Sequence, residues 1–299
     1  MVAPSGEQFL IASEGYEAVI TESGGALRSL THAGRDLVDG FAENAMSHGG
    51  RGQLLMPWPN RIRDGRYSFD GTANQLALTE PARRNASHGL ARWAAWSLVD
   101  HSATSVTLGH RVMAQTGYPW TLDLRVTYEV GPAGLSVTQS ATNRSTRPAP
   151  YAQGAHPYLT VGAGPIDAWT LTLPAGTRLL ADDERLLPIG REAVEATAYD
   201  FRDERPIGDV AFNHCFTDLA QTDHRVVVRL AHGGRSTSLW VDRSWPWLLL
   251  YSADDTATPR RSLAVEPMSA PVDAFNSGED LIRLEPDATH SGAWGIYAG

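Results

Sequence analysis

Apolar and polar residues alternate with a period of two along most of the chain. Over residues 120–130, Trp120, Leu122, Leu124, Val126, Tyr128 and Val130 fall on one side, and Thr121, Asp123, Arg125, Thr127 and Glu129 on the other. That is the pattern of a strand with one buried face. Leu135, Val137, Gln139 and Ala141 continue it after the turn Gly131-Pro132-Ala133-Gly134, so the two runs predict a hairpin. Further strands are expected at 94–99, 105–111, 169–173, 225–231, 238–242, 247–252, 262–266 and 290–297. Turn residues such as Ala33-Gly34-Arg35-Asp36, Phe69-Asp70-Gly71 and His232-Gly233-Gly234 separate them. Helical spacing is confined to short turns around Asp203 and at 277–280. Many strands, Gly/Pro turns and few helices predict an all-β chain built as a large antiparallel β-sandwich. No repeat, low-complexity tract or composition break marks a linker, so residues 1–299 are expected to form one domain.

Two segments do not follow the strand pattern. Residues 49–66 contain Arg51 and the run Met56-Pro57-Trp58-Pro59-Asn60-Arg61-Ile62-Arg63; residues 79–92 contain Pro81, Arg83, Arg84, Asn85, His88 and Arg92. Loops that carry aromatics, arginines and a histidine on a β scaffold are where binding residues collect.

Composition narrows the function classes. A net charge of -9 offers nothing to neutralise phosphates, so a nucleic-acid partner is not expected. All 25 basic residues are arginine, which excludes a Schiff-base lysine and a P-loop lysine. Cys215 is the sole cysteine, so neither an intrachain disulfide nor a Cys-rich metal site is available. Residues 1–13 lack the basic start and apolar core of a secretory leader, and no apolar run is long enough to span a bilayer. A cytoplasmic protein without a membrane partner is expected. In that setting the glycosylation patterns Asn85-Ala86-Ser87 and Asn143-Arg144-Ser145 read as chance matches.

Proton-transfer chemistry is suggested by a few side chains. Glu266 closes the apolar run Leu263-Ala264-Val265, and Pro267 is expected to stop the ladder immediately after it. A carboxylate where a buried strand emerges is partly desolvated, which raises its pKa and suits it as a base near neutral pH; a solvated carboxylate at a strand end is the alternative. His156 lies between Gly154-Ala155 and Pro157, whose ring holds it extended. It is either a core histidine or a proton donor, its unperturbed pKa of about 6.5 suiting the latter. His88 and Arg61 are either solvated or placed for binding. Trp58, Trp120, Trp245 and Trp247 are candidates for an apolar sugar platform, with Trp120 and Trp247 favoured as core.

The ordered set Asn60-Arg61-Ile62 with Gly65 and Phe69, His88-Gly89, His156-Pro157-Tyr158, and Val265-Glu266-Pro267 with Pro271, Asp273-Ala274 and Asn276 resembles the aldose 1-epimerase (galactose mutarotase) family. The likeness runs from Gly24-Gly25-Ala26-Leu27 to the C-terminus. It implies the galactose mutarotase-like supersandwich fold and cofactor-independent interconversion of the α and β anomers of a free aldose, a hexose. By the same resemblance Glu266 is the base at the anomeric hydroxyl and His156 the acid at the ring oxygen. His88, Arg61, Asn60 and the residue at 213 are substrate-binding, and no metal is required. The small-molecule partner is then a sugar, and the protein is expected to be a monomer or weak homodimer.

One position departs from the family pattern. Phe212-Asn213-His214 stands where relatives carry an Asp that binds sugar hydroxyls. An amide donates and accepts but lacks the charge-assisted bonds of a carboxylate. Asp218 would substitute only on a re-routed loop. His88-Gly89-Leu90-Ala91-Arg92 with Trp96 also resembles the related hexose-6-phosphate epimerases, in which case Arg83, Arg84 and Arg92 would grip a phosphate. The Pro57-Trp58-Pro59-Asn60-Arg61-Ile62 loop is nearer the free-aldose type. A non-catalytic sugar-binding protein of the same fold and a two-carboxylate glycosidase using Glu266 with Asp273 are the remaining alternatives.

Overall fold

The computed structural model describes residues 2–256 and 258–299. Two large antiparallel sheets dominate it. In the nine-stranded sheet the predicted hairpin is central: Leu122–Gly131 pairs with Gly134–Asn143, with Val130 opposite Leu135. Leu122, Leu124, Val126, Tyr128 and Val130 are buried, as the alternation requires. The sheet extends through Ser105–Val112 and Ser97–His101 on one side. On the other side it extends through Thr289–Ala298, Arg235–Val241 and Val226–His232 to Thr170–Thr172 and Arg205–Pro206. A four-stranded sheet over Gln8–Ser13, Tyr16–Thr21, Leu27–His32 and Arg35–Asp36 packs on the same core. The architecture is the all-β, antiparallel one that the alternation predicts.

The eight-stranded sheet carries the residues of interest. Its centre runs Ala175–Ala181, Asn213–Leu219, Trp247–Tyr251 and Leu263–Met268, then Gly154–Ala155 and Leu54–Leu55, with Tyr158–Leu159 also on Leu263–Met268. Trp247–Tyr251 and Leu263–Met268 are covered on both faces, which is why 262–266 reads as a continuous run rather than an alternation. Phe212, Phe216, Leu248, Leu250, Leu263 and Val265 join the main core. Cys215, Trp247, Leu249 and Met268 form a second cluster on the opposite face with Leu179, Leu187 and Val272.

Several local expectations need correction. Glu266 is not at a strand end: Leu263–Met268 continues through Pro267, with Leu248 opposite Pro267 and Trp247 opposite Met268. The neighbouring segment pairs on either side, Gly154 with Met268 and Tyr158 with Ala264; the Val265 N–H still donates to the Pro157 carbonyl (3.1 Å), and the ladder is interrupted at His156. Pro267, which has no N–H to donate, sits within that interruption and so does not end the strand. No helix forms around Asp203; among the described residues the single α-helical turn is Ala274–Ser277, upstream of the expected 277–280. The 94–99 strand begins only at Ser97. Trp120 and Trp247 are buried, as expected of core residues, and Trp58 and Trp245 are buried with them, so none is a sugar platform. Among the described residues no helix is long and apolar enough to cross a membrane.

Candidate active site

Strand register decides which side chains meet. Side chains two apart share a face, so Glu266 lies in a row with Leu249 and Cys215, and Ala264 in the next row with Tyr251 and Asn213. Glu266 therefore projects from the middle of a sheet, away from the main core, and is 1% exposed.

Opposite it, the interruption at His156 turns the imidazole onto the same spot. The His156 N–H donates to the Gln53 carbonyl (3.0 Å), and the Gly52 N–H donates to the His156 carbonyl (2.9 Å). The ring stacks on Tyr158 with centroids 5.0 Å apart and planes 14° off parallel. Gly50, at φ +80°, approaches so closely that a Cβ there would lie 2.7 Å from His156 Cδ2, a place only glycine can fill. The result is a contact of 3.2 Å between His156 Nε2 and Glu266 Oε1.

The two irregular loops supply the remaining wall. Arg61–Arg63 pairs with Asn85–Ser87, and this ribbon ends in two left-handed residues, Asn60 (φ +51°) and His88 (φ +62°). They hold each other: the His88 N–H donates to the Asn60 carbonyl (2.9 Å), and the Asn60 N–H donates to His88 Nδ1 (3.3 Å). With Nδ1 accepting, neutral His88 carries its proton on Nε2. Gly89 follows at φ +70°, where any Cβ would stand 2.1 Å from the Met56 carbonyl oxygen. Arg61 is clamped by Glu80 through Nε–Oε2 (2.8 Å) and Nη2–Oε1 (2.9 Å), and its Nη1 donates to Asn60 Oδ1 (3.2 Å). A bidentate pair of this kind fixes the guanidinium plane.

These groups enclose a cavity of about 210 Å³ lined by Asn60, Arg61, His88, His156, Asn213 and Glu266. All six sequence candidates are thus brought together. Burial pushes the Glu266 carboxyl up to about 8, the Arg61 charge pulling the other way. Burial pushes His156 down to about 3, with the Arg51 and Arg92 charges adding to it. Burial, then the neighbouring His156, Arg92 and Arg61, lowers His88 well below its ordinary range. Near pH 7 the His156–Glu266 pair therefore holds one proton rather than two or none. Among the described residues Glu266 Oε2 and His156 Nδ1 are buried without a protein partner. An unpaired buried polar atom is costly, and a ligand hydroxyl would satisfy the carboxylate oxygen. No group of three or more His, Cys, Asp or Glu side chains among the described residues is placed to share a metal ion.

The sequence model of the aldose 1-epimerase family matches residues 7–296. The chain belongs to the aldose 1-epimerase family. It is 34% identical over 297 residues to the uncharacterized protein YihR of Escherichia coli (strain K12), covering 98% of this chain and 94% of that one. Its fold matches that of the GalM/aldose epimerase homologue from C. elegans, with TM-score 0.88, 21% identity and 98% of both chains covered. It also matches galactose 1-epimerase from Lactobacillus acidophilus NCFM, with TM-score 0.80, 19% identity and coverage of 96% and 92%. As an aldose 1-epimerase family member the protein is an isomerase acting on sugars.

The cavity also contains residues that sequence reasoning did not assign to a site. Glu80, Tyr251 and Asp255 line the cavity, with Gly49, Arg83, Leu186 and Leu249. The Tyr251 hydroxyl donates to Asp255 Oδ1. Glu80 lay within a loop already singled out; Asp255 had no distinguishing neighbour in sequence. Asp218 is exposed and does not line the cavity, so it does not replace the missing acid at 213. Asp273 is also elsewhere. Its Oδ1 accepts from the Arg63 N–H (2.9 Å) and from Asn276 Nδ2 (2.7 Å), so it ties the ribbon to the Ala274–Ser277 turn. It is not a second carboxylate beside Glu266, and the glycosidase alternative loses its partner group.

The proton affinities have consequences for stability. A carboxyl whose pKa rises from 4.5 in the unfolded chain to about 8 when folded contributes fully below 4.5 and loses that contribution as pH climbs through 8. His156, lowered from 6.5 to about 3, contributes above 6.5 and loses it as pH falls through 3. Glu266→Gln removes the first of these. Between about pH 5 and 9 the variant should lose less thermal stability than the parent, since it has no buried proton to give up. Parallel melting curves across that window would mean that Glu266 is ionised throughout.

Proposed function

We propose that this protein interconverts the α and β anomers of a free aldose, a hexose, by opening and reclosing its ring without a cofactor. The observation that carries this reading is the buried His156–Glu266 contact in a cavity whose other polar groups are donors and acceptors suited to hydroxyls. The cavity is small, which fits one sugar ring rather than an oligosaccharide. We take residues 1–299 as a single domain around it.

The chemistry transfers one proton in each direction. With the shared proton on His156, ionised Glu266 removes the proton from the C1 hydroxyl while His156 Nε2–H protonates the ring oxygen. The C1–O5 bond breaks as the C1 carbonyl forms. A half-turn about C1–C2 presents the other carbonyl face, and reclosure with the roles reversed gives the opposite anomer and restores both groups. In the free protein the carboxyl holds the proton, and the short Nε2–Oε1 contact lets it move to the imidazole without exchange with solvent. An imidazolium made unfavourable by burial is a strong acid, which is what a weakly basic ring oxygen needs. Neutral His88 donates Nε2–H toward the ring-oxygen side, and Arg61 supports charge there. The rate should fall as pH rises through about 8, where the pair loses its only proton and no acid remains.

A second reading is an aldose carrying an anionic group, such as a hexose 6-phosphate. Arg92 favours it. This half-buried guanidinium lies close enough to depress the proton affinity of both His88 and His156. Among the described residues it makes no ion pair or side-chain hydrogen bond, resting on Trp93 instead. Arg83 is already tied to the Asp183 and Glu184 carbonyls, and Arg84 to Glu184, so neither is free in the same way. Polarimetry on freshly dissolved α-glucose, α-galactose and α-glucose 6-phosphate, beside an assay of aryl-glycoside release, separates the readings. Faster decay of rotation for one sugar identifies the class; no acceleration of any would leave a binding protein.

Asn213 should tune affinity. A carboxylate makes stronger bonds to hydroxyls than an amide, so Asn213→Asp should lower KM for a free hexose by an amount equivalent to about 1 kcal/mol. Asp255 in the same cavity keeps the gain modest by repulsion. Weaker binding instead would mean that the Asn213 amide donates to the sugar.

A further inference from the structure

Behind the His156 imidazole lies a column of buried groups that the reaction itself does not use. The Arg51 guanidinium stands 4.2 Å from the centroid of the Tyr158 ring, and that ring also meets the His156 ring in the parallel stack described above. The column is anchored at each level. Arg51 Nη2 is bound to Asp39 Oδ2 (3.0 Å), and its Nη1 donates to the His48 carbonyl (3.3 Å). Asp39 Oδ2 also accepts from the Ser262 hydroxyl (2.9 Å), and the Asp39 N–H donates to the Tyr158 carbonyl (2.8 Å). The Tyr158 hydroxyl donates to the Gly49 carbonyl (2.8 Å), one residue from the glycine that presses on the imidazole. Arg51 and Tyr158 are both buried.

We propose that Arg51, acting through Tyr158, is a positioning residue for His156: the stack holds the imidazole against Glu266 and places a fixed positive charge behind it. The proposal rests on the acid–base reading of His156 given above.

The physical argument has two parts. A ring held between Tyr158 and Gly50 cannot rotate out of line with Glu266, which preserves the proton path between them. A cation resting on the Tyr158 ring that stacks on the imidazole, in a setting screened less than water, opposes any second positive charge. Other charges and titratable groups also face His156: Glu266 from the adjacent strand, His88 and Arg92 from the 79–92 loop, and Tyr158 itself. Arg61 acts on Glu266 from the opposite wall. The Arg51 charge is paired with Asp39, which Arg261 also approaches (3.4 Å), so Arg51 and Asp39 act on the pair with opposite sign.

That opposition supplies the test. The quantity read is the pH at which the His156–Glu266 pair loses its shared proton. It is followed by the His156 Cε1–H resonance, assigned by its loss in His156→Asn. Arg51→Met should move this pH upward by roughly half a unit to one unit. Asp39→Asn, which can still accept a hydrogen bond from Arg51, should move it downward. Arg51→Lys, which keeps the charge, should leave it close to the parent value while lowering kcat through the lost stack. General loosening of the fold would not produce shifts of opposite sign. If Arg51→Met does not fold, Asp39→Asn and Arg51→Lys still decide the matter. Unmoved or like-signed shifts in folded variants would overturn the proposal. Because the resonance is read without substrate, absence of mutarotation in the parent would sink the functional reading alone.

Discussion

Glu266→Gln is expected to fold, to bind the sugar with little change in KM, and to lose mutarotation by about two to four powers of ten, the usual contribution of a positioned acid or base. The amide matches the carboxyl in shape, and as a neutral group it suits a site that already resists charge through burial. Its oxygen or nitrogen still meets His156 across the 3.2 Å contact. What it cannot do is take the proton from the C1 hydroxyl or hand one back on reclosure. A fall in kcat at nearly constant KM is the mark of a group whose interaction is made only in the transition state. The measurement is the first-order decay of optical rotation at several sugar concentrations. Near-normal decay in the variant would remove Glu266 from the mechanism.

The second large effect concerns the proton donor. His156→Ala should reduce the rate by about two to four powers of ten, whereas His110→Ala should leave it unchanged. His110 lies on the Ser105–Val112 strand of the other sheet, with Nδ1 at 3.2 Å from the Ala95 carbonyl. Both substitutions remove an imidazole, His156 buried and His110 half-buried, so the fold of each variant is checked by circular dichroism beside its rate. A loss of rate confined to His156 therefore reports chemistry. His156→Ala also leaves Glu266 Oε1 without its partner, which should raise the pH at which the carboxyl ionises still further. Equal losses in the two variants would assign His156 a structural role instead.

Much of the fold and part of the site can be read without coordinates, and the division follows from range. The alternation at 120–130 and 135–141 depends only on neighbours two apart, and it emerges as Leu122–Gly131 paired with Gly134–Asn143. The motif residues Asn60, Arg61, His88, His156, Asn213 and Glu266 were legible because each stands in a distinctive local run, and all six line one cavity. Periodicity says which face a side chain takes but not which strand lies beside it. The rows that set Glu266 beside Leu249 and Cys215, and Asn213 beside Tyr251, exist only once three separate strands adopt one register. For the same reason Pro267 looked like a strand end: its missing N–H is harmless only because the neighbouring segment departs at His156, a fact of pairing rather than of sequence. Asp255, Glu80 and Arg51 have ordinary neighbours along the chain. Their significance comes from contacts with Tyr251, Arg61 and Tyr158, which only the tertiary structure decides.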